Sequence, residues 1–589
     1  MKFFPCFGFL LLFFYNVSCS VYSEVADENL PFSYQPSGWK RVFEKMLEKK
    51  RSLPFPFFSN KNDLSEFALC AICDVAMSVI LTERGFDMTK VQIEAQLQYF
   101  CSSFLGIEDD RVCEGIIDVN ADAVLYIMDN TKDTVGSTQI CSQLLDCDVG
   151  SKYFEWTIGD LKGKTVDKVE STGEKTFKIA HITDIHYDPN YTEGKVLKCG
   201  EPLCCQPDQP DATADQTACG RWSSFKDADS PLRLLNAAID GINEQDYDYV
   251  YFTGDLVAHT VWKTSQEYNK KTITEAMDLF AKKFKKPVIP ILGNHETHPV
   301  NLYAPLNITD DSINQKWLFE TVFDKWSKWL DEEAKETIKQ GGFYSILLKK
   351  GLRVIVLNNN AAHKENWWNL YDSEDPYGQL KWLVQTLEKA ENNKEIVHIL
   401  SHIPSSSCMK VWSREYNKII ERFSNTIAAQ FNGHTHKDHF SIYYDSKSVA
   451  NNMVINGASV MPDKANPNFK IYTVDSTGYD IMDAEVYSFD LEKANNDKIE
   501  TIKWEKLYSF ANEFGVSKLV PSELDALIKR MADGIKKKDY TLIDLYHKFY
   551  YRNSKSSQAK CDETCQKKYI CEILTTVHGE TSMCDNLWT

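Results

Sequence analysis

Seven side chains of metal-binding type recur along the chain in the order Asp184, His186, Asp255, Asn294, His402, His434 and His436. Carboxylates, imidazoles and one carboxamide, with no thiolate among them, favour a borderline or hard divalent ion over a structural cysteine site, and zinc is the first choice. Two such ions about 3.5–4 Å apart share a carboxylate and neutralise charge on both sides of an in-line displacement at phosphorus. Asp255 is the natural bridge. His434 and His436 are spaced i, i+2, so an extended or tightly turned segment aims both imidazoles at adjacent ions, and Gly433 lets the backbone come close.

Each ligand follows a run that reads as a buried strand: residues 177–183 before Asp184, 247–253 before Asp255, 287–292 before Asn294, 395–400 before His402, and 427–431 before His434. In an open α/β sheet, ligands gather where strands end at their carboxyl edges, so five strand ends pool one cluster. A single histidine beside an apolar strand is ordinarily a satisfied core or loop residue. Five such sites in series reverse that reading.

The motifs 184-DIH-186, 254-GD-255, 293-GNH-295, His402 and 433-GHTH-436 resemble, in kind and order, those of the calcineurin-like metallophosphoesterases. The resemblance implies an α/β metallophosphoesterase sandwich with two metal ions. It assigns Asp184, His186, Asp255 and His436 to one ion, and Asp255, Asn294, His402 and His434 to the other. His295 is left outside this set, next to the metal-bound Asn294, where it can protonate a departing alkoxide; such general-acid help contributes about 10²–10⁴-fold. His259, four residues beyond Asp255, orients the phosphate or shares the proton work.

The cysteines bear on compartment and substrate. Lys2, the apolar run Phe3 to Tyr15 and the small stretch Ser18-Cys19-Ser20 read as a secretory signal peptide over residues 1–19, too short to span a bilayer. Without Cys6 and Cys19, fifteen of the seventeen cysteines remain, which in an exported chain predicts disulfides and one unpaired thiol. Cys70, Cys73, Cys101, Cys113, Cys141 and Cys147, with apolar residues at helical intervals between them, resemble the saposin pattern over residues 66–150. The spacing alone allows fifteen connectivities; the resemblance implies Cys70–Cys147, Cys73–Cys141 and Cys101–Cys113. It also implies an all-α domain whose apolar faces engage lipid, making peripheral contact with a membrane.

A saposin module ahead of a dinuclear phosphoesterase resembles the acid sphingomyelinase family over nearly the whole chain beyond the signal peptide. The stretches 199-CGEPLCC-205, 254-GDLVAHTVW-262, 293-GNHE-296, 402-HIP-404 and 428-AAQFNGHTH-436 carry the likeness. From it follow the pairs Cys199–Cys204, Cys205–Cys219, Cys561–Cys565 and Cys571–Cys584. Three features depart from the family pattern. Cys408 faces a partner region, residues 358–368, that has no cysteine and becomes the odd thiol; residues 151–175 contain no proline; and residues 457–469 contain no tyrosine near the head-group edge.

The expected organisation is a signal peptide (1–19), a leader (20–65), a saposin B-type domain (66–150), a linker (151–175), the catalytic domain (176–500) and a C-terminal helical, disulfide-containing region (501–589). In that last region, residues 522–552 recur at helical intervals with Ser522 suited to an N-cap. A formal net charge of -18 argues against nucleic acid as a partner, because that affinity rests on cationic contacts to phosphates. Sequons at Asn190 and Asn307 predict two glycans on a secreted or lysosomal protein, expected to be a monomer. The expected reaction is hydrolysis of a sphingolipid or phospholipid phosphodiester, sphingomyelin above all, to ceramide and phosphocholine. The alternative is a secreted nucleotide or other phosphodiesterase with the same metal centre; a soluble nucleotide has no use for a lipid-handling module. A lipid-transfer protein with a silent catalytic domain is disfavoured by the intact ligand set.

Overall fold

The computed structural model describes the chain from Cys70 to Trp588, apart from residues 72, 75, 76, 79, 80, 82–88, 95–97, 99–109, 132, 148, 149, 162, 164 and 556–559. The signal peptide, the leader and Cys101 lie outside the described residues.

Among the described residues, twelve strands form two six-stranded sheets packed face to face. The first has the order β12 (Glu505–Ser509), β11 (Ile481–Ser488), β10 (Asn468–Asp475), β1 (Thr176–Ile182), β2 (Tyr249–Phe252), β3 (Val288–Pro290). The second runs β4 (Tyr344–Lys349), β5 (Leu352–Val356), β6 (Ile396–Leu400), β7 (Ile427–Asn432), β9 (Ala450–Asn456), β8 (Phe440–Tyr444). Strands β1, β2 and β3 are mutually parallel, as are β5, β6, β7 and β9. Parallel neighbours need long crossovers, here supplied by helices such as Leu232–Asn243 between β1 and β2 and Lys410–Arg422 between β6 and β7.

Strands covered on both faces read as continuous apolar runs; β5 and β6 are buried at every position. Between the sheets, Phe431 of β7 packs on Tyr251 of β2 and Tyr472 of β10, with ring centroids 5.2 and 5.1 Å apart. Polar groups in this layer find partners across it, as burial favours: Tyr251 Oη and His398 Nδ1 lie 3.0 Å apart across the two sheets.

The sandwich that the resemblance implies is found, and the strand ends that pool the ligands come from both of its sheets. Three of the five ligand-bearing strands, β1 to β3, belong to one sheet and two, β6 and β7, to the other. The sandwich also continues past residue 500, because β12 pairs with β11. Beyond it, helices Pro521–Lys537 and Glu563–Leu574 pack on β8 and β9. Val520, not Ser522, is the N-cap of the first of these helices: Pro521, with φ fixed and no N–H to satisfy, takes the first helical position and draws the start upstream. The helical spacing of residues 522–552 resolves into two helices, separated where Lys538 turns left-handed before Thr541–Tyr550.

The N-terminal residues described are helical and joined by Cys70–Cys147 and Cys73–Cys141. Cys113 is disulfide-bonded. Its helix, Asp110–Thr131, packs its buried face on the catalytic body, with Val112 against Val261 and Trp262 and Tyr126 5.7 Å from the Trp368 ring. Trp368 is core, 1% exposed, and Trp367 only half-buried. Gln143 donates to the carbonyls of Lys364 (3.0 Å) and Asn366 (2.9 Å). Elsewhere the disulfides are Cys199–Cys204, Cys205–Cys219, Cys561–Cys565 and Cys571–Cys584. Cys408 is a buried free thiol, its Sγ 3.8 Å from Asn359 Nδ2. Asn190 and Asn307 are exposed. No helix among the described residues is long and apolar enough to cross a membrane.

Candidate metal centre

All seven ligand candidates meet where the carboxyl ends of the two sheets adjoin. Donor atoms of Asp184, His186, Asp255 and His436 fall within 4.8 Å of one another, and so do those of Asp255, His402 and His434. Asp255 belongs to both groups: its Oδ2 lies 3.5 Å from His186 Nε2 and 3.0 Å from His402 Nε2. Asn294 Oδ1 joins the second group, 3.0 Å from both His402 Nε2 and His434 Nδ1. His436 Nε2 sits 3.3 Å from Asp184 Oδ1 and 3.1 Å from His186 Nε2.

The surroundings aim these atoms. His186 and His402 hold backbone carbonyls through Nδ1, at Val257 (2.9 Å) and Thr253 (2.6 Å), which turns each Nε2 toward the centre. Asn294 donates to Asn301 Oδ1 (2.9 Å), and Asn301 to Glu365 (3.0 Å), so the Asn294 carbonyl oxygen faces inward. Glu296 accepts the backbone N–H groups of Gly293, Asp255 and Leu256, tying two ligand loops together. A Cβ on Gly293 would meet Asp255 Oδ1, and one on Gly433 would meet Asp184 Oδ2, so both loops approach the carboxylates closer than any side chain allows.

Five of the seven candidates have positive φ: Asp184 (47°), His186 (45°), Asp255 (61°), His434 (70°) and His436 (56°). Left-handed backbone costs about 1–2 kcal/mol per residue and persists only where the surroundings enforce it. Bonds between the loops do so here, including His186 N–H to the Asp255 carbonyl (3.1 Å) and His434 N–H to Asp184 Oδ1 (2.8 Å).

The imidazoles of the site divide: burial opposes charge on His402, but Asp255 prevails and raises it to about 9. Burial pushes His186 well below the ordinary histidine range and His434 down to about 3, leaving neutral imidazoles, the form that binds metal. Burial opposes charge on Asp255 too, but His402 and its neighbours outweigh it and hold the carboxyl well below its usual range. The donor set, the carboxylate common to both groups and the inward-facing Nε2 atoms together fit a divalent metal centre.

His295 and His259 lie beside this cluster, their ring centroids 4.5 Å apart and 4.8 and 3.9 Å from that of His186. His295 donates its backbone N–H to Asp255 Oδ1 at 3.0 Å, and burial lowers its imidazole to about 3. For His259 burial also opposes charge, yet the Asp229 carboxylate prevails and raises it. Sequence reasoning missed Asp229, Asn301 and Glu365, which carry no motif; Glu296, adjoining the GNH motif, offered a local signal.

Fold and ligand geometry define a calcineurin-like phosphoesterase, and residues 177–438 match that family. Residues 440–586 match the acid sphingomyelin phosphodiesterase C-terminal region. The chain belongs to the sphingomyelin phosphodiesterase family. It is 32% identical to sphingomyelin phosphodiesterase of Bos taurus, the match covering 82% of this chain and 78% of that protein. With sphingomyelin phosphodiesterase of Homo sapiens it is 31% identical over 88% of this chain and 83% of that one. It is also 30% identical to the cyclic GMP-AMP phosphodiesterase SMPDL3A of Homo sapiens, over 67% of this chain and 86% of that one. The family carries a divalent metal centre, and the clusters around Asp255 are its candidate ligands.

Proposed function

We propose that this protein hydrolyses sphingomyelin to ceramide and phosphocholine at a centre of two zinc ions. The observation that carries this reading is the pair of ligand clusters sharing Asp255 in a chain of the sphingomyelin phosphodiesterase family. Asp184, His186, Asp255 and His436 would hold one ion, and Asp255, Asn294, His402 and His434 the other. Bound there, the ions would neutralise phosphoryl charge and acidify the attacking water. His295, fixed over Asp255, and His259, held by Asp229, are the groups placed to pass a proton to the departing ceramide oxygen.

The N-terminal disulfide-linked helices act as a saposin-type module, and their contact with the catalytic body brings a membrane-embedded lipid to the site. Exposed sequons, disulfides and acidic balance support a secreted or lysosomal glycoprotein; a monomer is the state proposed for it. A second reading, a nucleotide phosphodiesterase, draws support from the cyclic GMP-AMP phosphodiesterase relative. Coverage favours the first: the bovine match takes in 82% of the chain, more than residues 176–589 supply, whereas the nucleotide enzyme matches 67%.

Purified protein assayed on sphingomyelin vesicles and on a chromogenic nucleotide ester, with and without chelator, separates the two. Vesicle hydrolysis abolished by chelator and restored by zinc supports the proposal; hydrolysis of the nucleotide ester alone overturns it. Asp255→Asn is expected to lose metal and turnover together, since it removes the one charge both ions share.

A further inference from the structure

His363 is a buried imidazole beside the metal centre that no part of the proposed mechanism uses. The residue is 2% exposed, and neither ring nitrogen has a hydrogen-bond partner among the described residues. Buried polar groups are nearly always paired, and one left unpaired costs its full desolvation, so each exception demands a reason.

The ring cannot easily turn elsewhere, because its backbone is fixed on both sides. The His363 N–H donates to the Asn360 carbonyl (3.0 Å), and its own carbonyl accepts Asn366 N–H and Asn369 Nδ2, both at 2.9 Å. An antiparallel bridge to Cys408 joins it to the loop after His402. The imidazole thus held lines the same pocket as Asp255, His295 and Glu365, and lies edge-on to His434, ring centroids 5.4 Å apart. It falls outside both clusters of converging ligand atoms. A purely structural role is poorly served by this side chain, since an apolar residue would fill the space without burying two polar atoms. What the pocket receives is a phosphodiester, whose non-bridging oxygens are strong acceptors. An imidazole has at least one N–H donor whether neutral or charged, so it can serve such an oxygen in either protonation state.

We propose that His363 is a phosphoryl-binding residue, its ring N–H donating to a non-bridging oxygen of the bound phosphodiester and of the phosphomonoester product. The proposal rests on the reading of this pocket as the phosphoesterase site. Its test uses the metal-loaded enzyme, a soluble chromogenic phosphodiester as substrate, and inorganic phosphate as competitive inhibitor. His363→Ala is expected to weaken inhibition by phosphate, and to raise KM, by about tenfold, the loss of one hydrogen bond to a charged group. Metal content and the melting temperature without phosphate should stay at the wild-type level, while the rise in melting temperature that phosphate produces should shrink. His363→Gln, which keeps a donor near Nε2, should recover part of the inhibition.

Unchanged phosphate inhibition in His363→Ala overturns the proposal, and so does a loss of metal, which would mean that the residue acts through the ligands. If His363→Ala does not fold, His363→Gln and His363→Asn decide, because they present a donor at different reach; inhibition equal to wild type in both overturns it. Asp255→Asn serves as the control for the site itself. Retention of metal and activity there would sink the reading of the pocket, whereas their loss, with His363→Ala inhibited normally, would sink this inference alone.

Discussion

Asp229 holds His259 through both of its oxygens: Oδ1 lies 2.7 Å from His259 Nδ1, and Oδ2 accepts the His259 backbone N–H at 2.6 Å. The carboxylate therefore fixes the loop and the ring together, with Nδ1 as the protonated nitrogen and Nε2 free to face the centre.

If Asp229 acts only through His259, the two residues behave as one unit. Asp229→Asn and His259→Ala should each lower kcat by about 10²-fold, within the range for a proton-transfer group, and the double variant should lose little more than either single one. Kinetics of the three variants, with metal content as control, make the double-mutant cycle. Multiplicative losses would show that Asp229 has a separate role.

His295→Ala should show its effect in the leaving group. Turnover of sphingomyelin, whose alkoxide departs poorly, should fall by about 10²-fold or more, and turnover of a nitrophenyl diester by much less, because nitrophenolate needs no proton. Equal losses on both substrates would make His295 a phosphate ligand instead of a proton donor.

Much of this site is legible in the sequence because its signals are local. Buried strands announce themselves as apolar runs, and each ligand stands within a few residues of a strand end, so the chain positions of β1, β2, β3, β6 and β7 follow from residue types alone. What is not legible is non-local. No pattern in residues 287–292 or 395–400 states that β3 and β6 lie in different sheets, since pairing depends on partners far along the chain. Asp229 precedes His259 by 30 residues without a motif, and only the folded loops bring its carboxylate to the ring. The left-handed backbone of Asp184, His186, Asp255, His434 and His436 is likewise imposed by contacts between loops rather than by those residues' own preferences.

Asp188 makes a contribution to stability that favours acid. Burial, with help from Asp229 nearby, raises its carboxyl to about 6. A carboxyl raised in the folded state keeps its proton there longer than in the unfolded chain. Its ionised form is the penalised one, so the contribution to stability is intact below the ordinary carboxyl value near 4 and is lost as pH rises through 6. Asp188→Asn removes that penalty. Gln206, which now donates to Asp188 Oδ2 and whose Oε1 has no partner among the described residues, can turn its amide over to accept from the new side chain. The variant should exceed wild type in melting temperature slightly at pH 4.5 and more at pH 7.5, where the gain is at most about 3 kcal/mol. A thermal melt at both values checks it; a loss of stability at pH 7.5 would mean that Asp188 is needed ionised.

A single wedge separates docking of the N-terminal helices from catalysis. Gly115 faces the Trp262 carbonyl so closely that a Cβ would stand 2.1 Å from its oxygen, against backbone that cannot yield as a side chain would. The same helix is held to the body by Arg111, paired with Glu201 and Asp208. Gly115→Val leaves every residue of the metal centre in place and should push the helix away from the loop that follows His259. If the N-terminal region must be seated for the site to reach lipid in a bilayer, hydrolysis of sphingomyelin in vesicles should drop by more than about tenfold, a cost of about 1.4 kcal/mol or more in the productive arrangement. Hydrolysis of a soluble diester should stay within about twofold of wild type, and detergent, which presents the lipid without a bilayer, should return part of the vesicle activity. Equal losses on both substrates would place the effect in the catalytic loop itself, and full activity on vesicles would mean that docking of this helix does not govern access to the membrane.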